Sequence, residues 1–238
     1  MPFFRIDREL HYFAHVPKCA GASVEVYLRK RFGRIAFANS QFYNVPEARR
    51  WTKSSPQHVD RDAVGLLIPK EWIESSFAVV RHPVTRLRSA FDYQLTGEKT
   101  VPDGMDINAW FLDWVARRDT MPFRYDNHPR PAADLVPDGA TVFRLEDGVQ
   151  GVVAHLDGLA GNTDGPREMP HENKSRGGVS YAAGQAPLSA EVLDVIAKVY
   201  AEDFRRFGYT CEDVVKQKAP DKPLPKQRKP LLKGLFRR

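Results

Sequence analysis

The chain has 238 residues, 42% of them hydrophobic, enough to bury one good core with at most a small appendage. No apolar run approaches the roughly 20 residues that a membrane-spanning helix requires, and Cys19 and Cys211 lie too far apart in sequence to read as a disulfide framework. The net charge of +6 is not spread evenly: Lys216 to Arg238 holds nine Lys or Arg against one Asp, so the body before it is slightly acidic and carries no general polyanion-binding composition.

The start, Met1-Pro-Phe-Phe-Arg, lacks a secretory apolar region with a small-residue cleavage site, and the cytoplasm is the expected compartment. The most informative stretch comes next. Leu10 to Val16 is an apolar run of strand length, followed by Pro17-Lys-Cys-Ala-Gly-Ala-Ser23 and then Val24, Leu28 and Phe32 at helical spacing up to Gly33. Ser23 or a neighbour can cap this helix. A strand, a small-residue turn and a helix N-terminus form an anion site, because unpaired amides and the positive end of the helix dipole point into the turn. Lys18 adds a cation and Ser23 a hydroxyl. The stretch differs from GxxxxGK[ST], since the Lys precedes the Gly, and a plain tight connection is the bland alternative.

Residues 34–57 read as loops. Asp60 is placed to cap a short helix through Leu67, ended by Pro69, with His58 on the connection just ahead. Phe77 to Val80 reads as a buried parallel strand, and Pro83 suits the first turn of the helix that follows. Arg81 at the strand end, with Arg86 and Ser89 three apart on the helix, suggests a second phosphate clamp; a solvated basic face is the alternative. Trp110, Phe111, Trp114 and Val115 form a core stripe on a helix from Asp106 to Arg117. Asn127-His-Pro-Arg-Pro131 is an irregular polar stretch of the kind that lies over sites. Thr141 to Leu145 reads as a third buried strand, Val149 to Leu159 as a helix, and 162–185 as a long functional loop. Ser189 caps one long final helix ending near Gly208. Strands alternating with helices, with anion sites at strand C-terminal ends, predict a single-domain α/β fold over 1–212, and a basic Pro/Lys-rich tail, expected to be disordered, over 213–238.

These residues resemble a family. His15-Val-Pro-Lys-Cys-Ala-Gly-Ala-Ser23 is similar to the 5′-phosphosulfate loop of sulfotransferases, in the branch that includes heparan-sulfate 2-O and other carbohydrate sulfotransferases. Ala78-Val-Val-Arg-His-Pro-Val-Thr-Arg-Leu-Arg-Ser-Ala-Phe91 resembles their 3′-phosphate motif. Phe143-Arg-Leu-Glu-Asp147, His171-Glu-Asn-Lys-Ser175 and Tyr200 to Tyr209 resemble later landmarks in the same order.

The resemblance implies a P-loop-like fold with a central, mainly parallel sheet flanked by helices. It also implies the donor 3′-phosphoadenosine 5′-phosphosulfate (PAPS), giving the product PAP, and no metal. Carried over by position, Pro17, Lys18 and the amides of Cys19, Ala20, Gly21, Ala22 and Ser23 hold the sulfate-bearing end. Arg81 and Ser89 hold the 3′-phosphate, while Asn173, Lys174 and Ser175 come from a loop over the nucleotide. Cys19 and Ala22 depart from the commoner Thr, and Ala22 removes one hydroxyl. In the heparan-sulfate relatives the general base is a His between the two nucleotide motifs. This points to His58, with His128 as runner-up and His15 fixing the strand end.

Sulfuryl transfer suits such residues, since the protein chiefly positions groups and stabilises charge on the leaving phosphate. The expected acceptor is a hydroxyl on an oligosaccharide or glycolipid. A P-loop NTPase or small-molecule kinase, and a non-catalytic nucleotide- or glycan-binding module, are the alternatives. No nucleic-acid partner is expected. Leu231-Leu-Lys-Gly-Leu-Phe236 among basic residues suits peripheral contact with an anionic membrane.

Overall fold

A computed structural model of the chain describes residues 1–39, 41–170 and 184–210. Asn173, Lys174, Ser175 and the tail from 213 lie outside the described residues. Four strands form one sheet in the order β1 (Phe3–Ile6), β2 (Glu9–Ala14), β3 (Ile73–Val80) and β4 (Thr141–Arg144). β2, β3 and β4 run parallel, with Phe13 opposite Phe77 and Val80 opposite Arg144. The fold is thus α/β with a mostly parallel sheet, as expected.

β1 was not legible. It pairs antiparallel with β2 across a tight turn in which Asp7 takes a left-handed conformation, φ 52°. β4 is an edge strand with exposed Thr141 and Val142, not a buried one, because among the described residues it has a neighbour on one side alone. β2 stops at Ala14, so His15 and Val16 already belong to the turn.

Helices α1 (Gly21–Phe32), α2 (Arg61–Leu67), α3 (Pro83–Thr96), α4 (Ile107–Arg117) and α5 (Gln150–Ala160) follow the predicted spans closely. Asp60 caps α2 by accepting the Ala63 amide at 2.9 Å, and Gly33 ends α1 at φ 85°. The expected long final helix is two, α6 (Ala190–Val199) and α7 (Ala201–Phe207). The break is at Tyr200, whose hydroxyl donates to the Pro129 carbonyl at 2.6 Å and whose ring stacks on Phe111.

Two apolar clusters fix the helices. The first joins the sheet to α1 and α5 through Phe13, Phe77, Val24, Leu28 and Leu156. The second joins α3, α4 and α6 through Leu87, Phe91, Trp110 and Ile196, so the aromatic stripe of α4 is core. Each such side chain contributes about 1.5–3 kcal/mol by leaving water. The crevice between these layers opens at the C-terminal ends of β2 and β3, where α1 and α3 begin.

No helix among the described residues is long and apolar enough to cross a membrane.

Candidate active site

A cavity of about 490 Å³ lies in that crevice, a volume suited to a nucleotide-sized ligand. One end is built by the β2–α1 turn. Lys18 and Ala20 both take left-handed conformations, φ 66° and 61°, which curls the backbone around the opening. α1 begins at Gly21 with Ala20 as its cap residue and no side-chain cap, so the expected Ser23 cap is not formed. The amides of Gly21 and Ala22 have no acceptor among the described residues and sit at the positive end of the helix dipole. That is a ready anion site.

Lys18, Ala20, Gly21, Ala22 and Ser23 line the cavity. Pro17 and Cys19 do not: both are buried, and the Cys19 thiol, pushed up to about 12 by burial, turns toward the Pro17 carbonyl. Gly21 is there for space. A Cβ on it would lie 1.9 Å from Nε2 of His15, whose ring sits against Gly21 and bonds Glu25 Oε1 through Nδ1 at 2.7 Å. His15 is held neutral by burial, with its pKa down to about 4.

The same end receives the β3–α3 turn. Ser89 and Tyr93, four apart on α3, face the cavity, and Thr85 one turn earlier accepts from Arg81 Nε at 3.0 Å. The terminal nitrogens of Arg81 and the Ser89 hydroxyl have no partner among the described residues. Arg86 departs from the expected clamp. One position around the helix from Thr85, it is fully buried, donates to the carbonyls of His128 and Arg130 at 3.0 and 2.7 Å, and lies 3.6 Å from Asp203. It is a core tie between α3, the 127–131 segment and α7.

Later landmarks hold this turn from behind. Glu146 accepts the His82 amide at 2.8 Å and the Tyr209 hydroxyl at 2.9 Å, and Asp203 accepts the amides of Ala132 and Ala133. Beyond Ser89, Asp92 accepts the Gly184 amide at 2.8 Å, and Arg88 donates to the carbonyls of Gly184 and Ala186. The chain returning after residue 183 is therefore anchored to α3.

The other end of the cavity carries His58, in a short turn from Pro56 to His58. Its Nδ1 bonds Asp126 Oδ2 at 2.7 Å, leaving Nε2 as the nitrogen able to take a proton. Asp126 had no sequence signal. It reaches His58 because Tyr125, Asp126 and Asn127 are three consecutive left-handed residues, φ 59°, 53° and 60°. Each costs on the order of 1 kcal/mol or more. The strain is offset by bonds: the Ser55 amide and hydroxyl donate to Asp126 at 2.6 and 2.7 Å, and Asn127 Nδ2 donates to the His58 carbonyl at 2.8 Å. Burial alone would raise the Asp126 carboxyl, but the His58 imidazole and the Ser55 hydroxyl hold it well below the usual carboxylate range.

His128 lies beside this pair, 5.2 Å from His58 ring to ring, with its Nδ1 against Gln94 Nε2 at 2.5 Å. Burial, and then the His58 charge, hold it neutral. His58, Asp126 and His128 also bring three possible metal-ligating atoms within 4.8 Å, a grouping hidden by their spacing in sequence.

The model of the sulfotransferase family matches residues 1–210, most of the chain. The chain belongs to the sulfotransferase family. No curated protein and no solved structure matches it. Membership makes it a transferase of sulfuryl groups by class, and the matched span includes both ends of the cavity and stops before the basic tail.

Proposed function

We propose that this sulfotransferase moves the sulfuryl group of PAPS to a hydroxyl of a carbohydrate acceptor. The observation that carries the reading is the two-ended cavity. Open amides, Lys18, Arg81 and Ser89 converge at one end, and a carboxylate-bound histidine stands at the other. The amides of Gly21 and Ala22 and the Lys18 ammonium suit the sulfate-bearing 5′ end, and Arg81 with Ser89 suits the 3′-phosphate.

In this reading His58 takes the acceptor's proton at Nε2 as the new S–O bond forms. Asp126 fixes its tautomer and stabilises the imidazolium. The bond from sulfur to the bridging oxygen breaks, and Lys18 neutralises the charge that gathers on the departing 5′-phosphate. Neither metal nor covalent intermediate is invoked. Asn173, Lys174 and Ser175 are proposed to complete the nucleotide contacts, and the basic tail to touch anionic membrane.

The test is turnover of radiolabelled PAPS with an acceptor panel, alongside ATP with magnesium. Labelled sulfated product supports the reading. Phosphoryl transfer from ATP, or tight PAP binding with no transfer to any acceptor, would replace it with the kinase or binding-module alternative.

A further inference from the structure

The cavity is electrically polarised. Among the described residues its Lys and Arg are Lys18 and Arg81, both at the end proposed for the donor. The rest of the lining includes Asn39, Tyr43 and Gln57 with His58 and Asp126, and Glu98, which reaches from Tyr93 toward His58 and Asp126. Two of the cavity's carboxylates are satisfied: Glu25 by His15 and Arg29, Asp126 by His58 and Ser55.

Glu98 is different. It stands just past the end of α3, accepts a hydrogen bond from the Tyr93 hydroxyl and, unlike the other two, forms no ion pair among the described residues. It lies within electrostatic reach of Asp126, His58 and Lys18; burial, against the opposing pull of the Tyr93 hydroxyl and with the Asp126 charge, pushes its carboxyl upward. Tyr43 feels both Asp126 and Glu98. Arg50 stacks over the Tyr43 ring, its Nε committed to the Val45 carbonyl, and does not line the cavity. Once an anionic donor occupies Lys18 and Arg81, the acceptor end keeps a surplus negative charge and no described cation to meet an anion.

We infer that Glu98 selects the acceptor, and that the sugar unit carrying the reacting hydroxyl is uncharged or bears an amine, never a carboxylate or sulfate. The inference rests on the transfer reading above. It separates this protein from the anionic glycosaminoglycan acceptors that the sequence resemblance brings to mind. The chemistry is direct: a half-buried carboxylate repels an anion at short range and accepts hydrogen bonds from an ammonium or a hydroxyl.

The experiment compares size-matched oligosaccharides whose terminal unit is a hexose, a 2-amino hexose or a uronate, using wild type and Glu98→Gln at saturating PAPS. The expected wild-type result is kcat/KM for the uronate at least tenfold below the hexose and the amino sugar. In Glu98→Gln the amino-sugar-to-uronate ratio should fall by at least tenfold, whatever the absolute rates. A wild-type preference for the uronate, or a ratio unchanged in Glu98→Gln, overturns the inference while sulfuryl transfer stands. No transfer to any member, with PAP still bound, overturns the transfer reading and this inference with it.

Discussion

The Lys18 ammonium sits 3.9 Å from the centre of the Tyr93 ring, held over the aromatic face rather than out in water. This placement keeps the cation close to the helix N-terminus at little entropic cost. Burial, and then repulsion from Arg81, bring its pKa down to about 8. Lys18 loses its charge as pH rises through that value, so kcat/KM for PAPS should fall on the alkaline side with a midpoint near 8. Lys18→Arg keeps its charge and should remove that limb even if the rate is lower. A profile in which wild type and Lys18→Arg share the same alkaline limb would take Lys18 out of donor recognition.

Arg81 and Arg86 should separate cleanly. Arg81→Ala removes a cavity cation and should weaken PAP by about 2–4 kcal/mol while leaving the melting temperature near wild type. Arg86→Met strips the core tie to His128, Arg130 and Asp203, and should lower stability by about 2–4 kcal/mol with PAP affinity of the folded protein little changed. Calorimetric titration and thermal melts on both variants decide it. The reverse pattern would restore Arg86 to the phosphate clamp.

Asp126→Asn keeps shape and loses charge. Without a carboxylate behind it the imidazolium is harder to form, so kcat should drop by roughly 100-fold or more. The acid limb of the rate profile should move to lower pH, and PAP affinity should stay within about threefold, because Asp126 does not line the donor end. A rate loss with an unmoved acid limb would make Asp126 a structural residue only.

Gly21→Ala drives a methyl into the His15 ring, and overpacking of this kind costs about 1–3 kcal/mol, or roughly 3–10 °C in melting temperature. The double variant with His15→Ala should recover part of the loss. A wild-type melt for Gly21→Ala alone would mean that the His15 ring can swing aside freely.

The sheet, most helices and the meeting of Lys18, Arg81 and Ser89 in one cavity were legible because each is written in local sequence. β2, the 17–23 turn and α1 are contiguous, as are β3, Arg81 and α3. Periodicity and turn residues suffice for such units. β1 escaped because four residues carry too little pattern. Arg86 was misread because spacing on a helix says which residues are neighbours, not which side meets the core. The end of the cavity that holds His58 was the least legible. Asp126 finds His58 across 68 positions through three left-handed residues, none of them Gly, and no motif announces that. No motif points to Glu98 either.

The turn bearing Arg81 is sealed by the far end of the fold. His82 meets Thr210, Glu146 meets Tyr209, and the segment carrying His128 hangs from Asp203 and Tyr200. The site proposed for the nucleotide thus cannot be complete before residues 200–210 are in place. While residues 200–210 remain inside the ribosome's exit tunnel, neither the Arg81 turn nor the histidine wall has its backing. A stalled chain still sheltering them should flow through an immobilised PAP column that retains the released protein. The proposed affinity for the nucleotide would therefore appear only once residues 200–210 have left the tunnel.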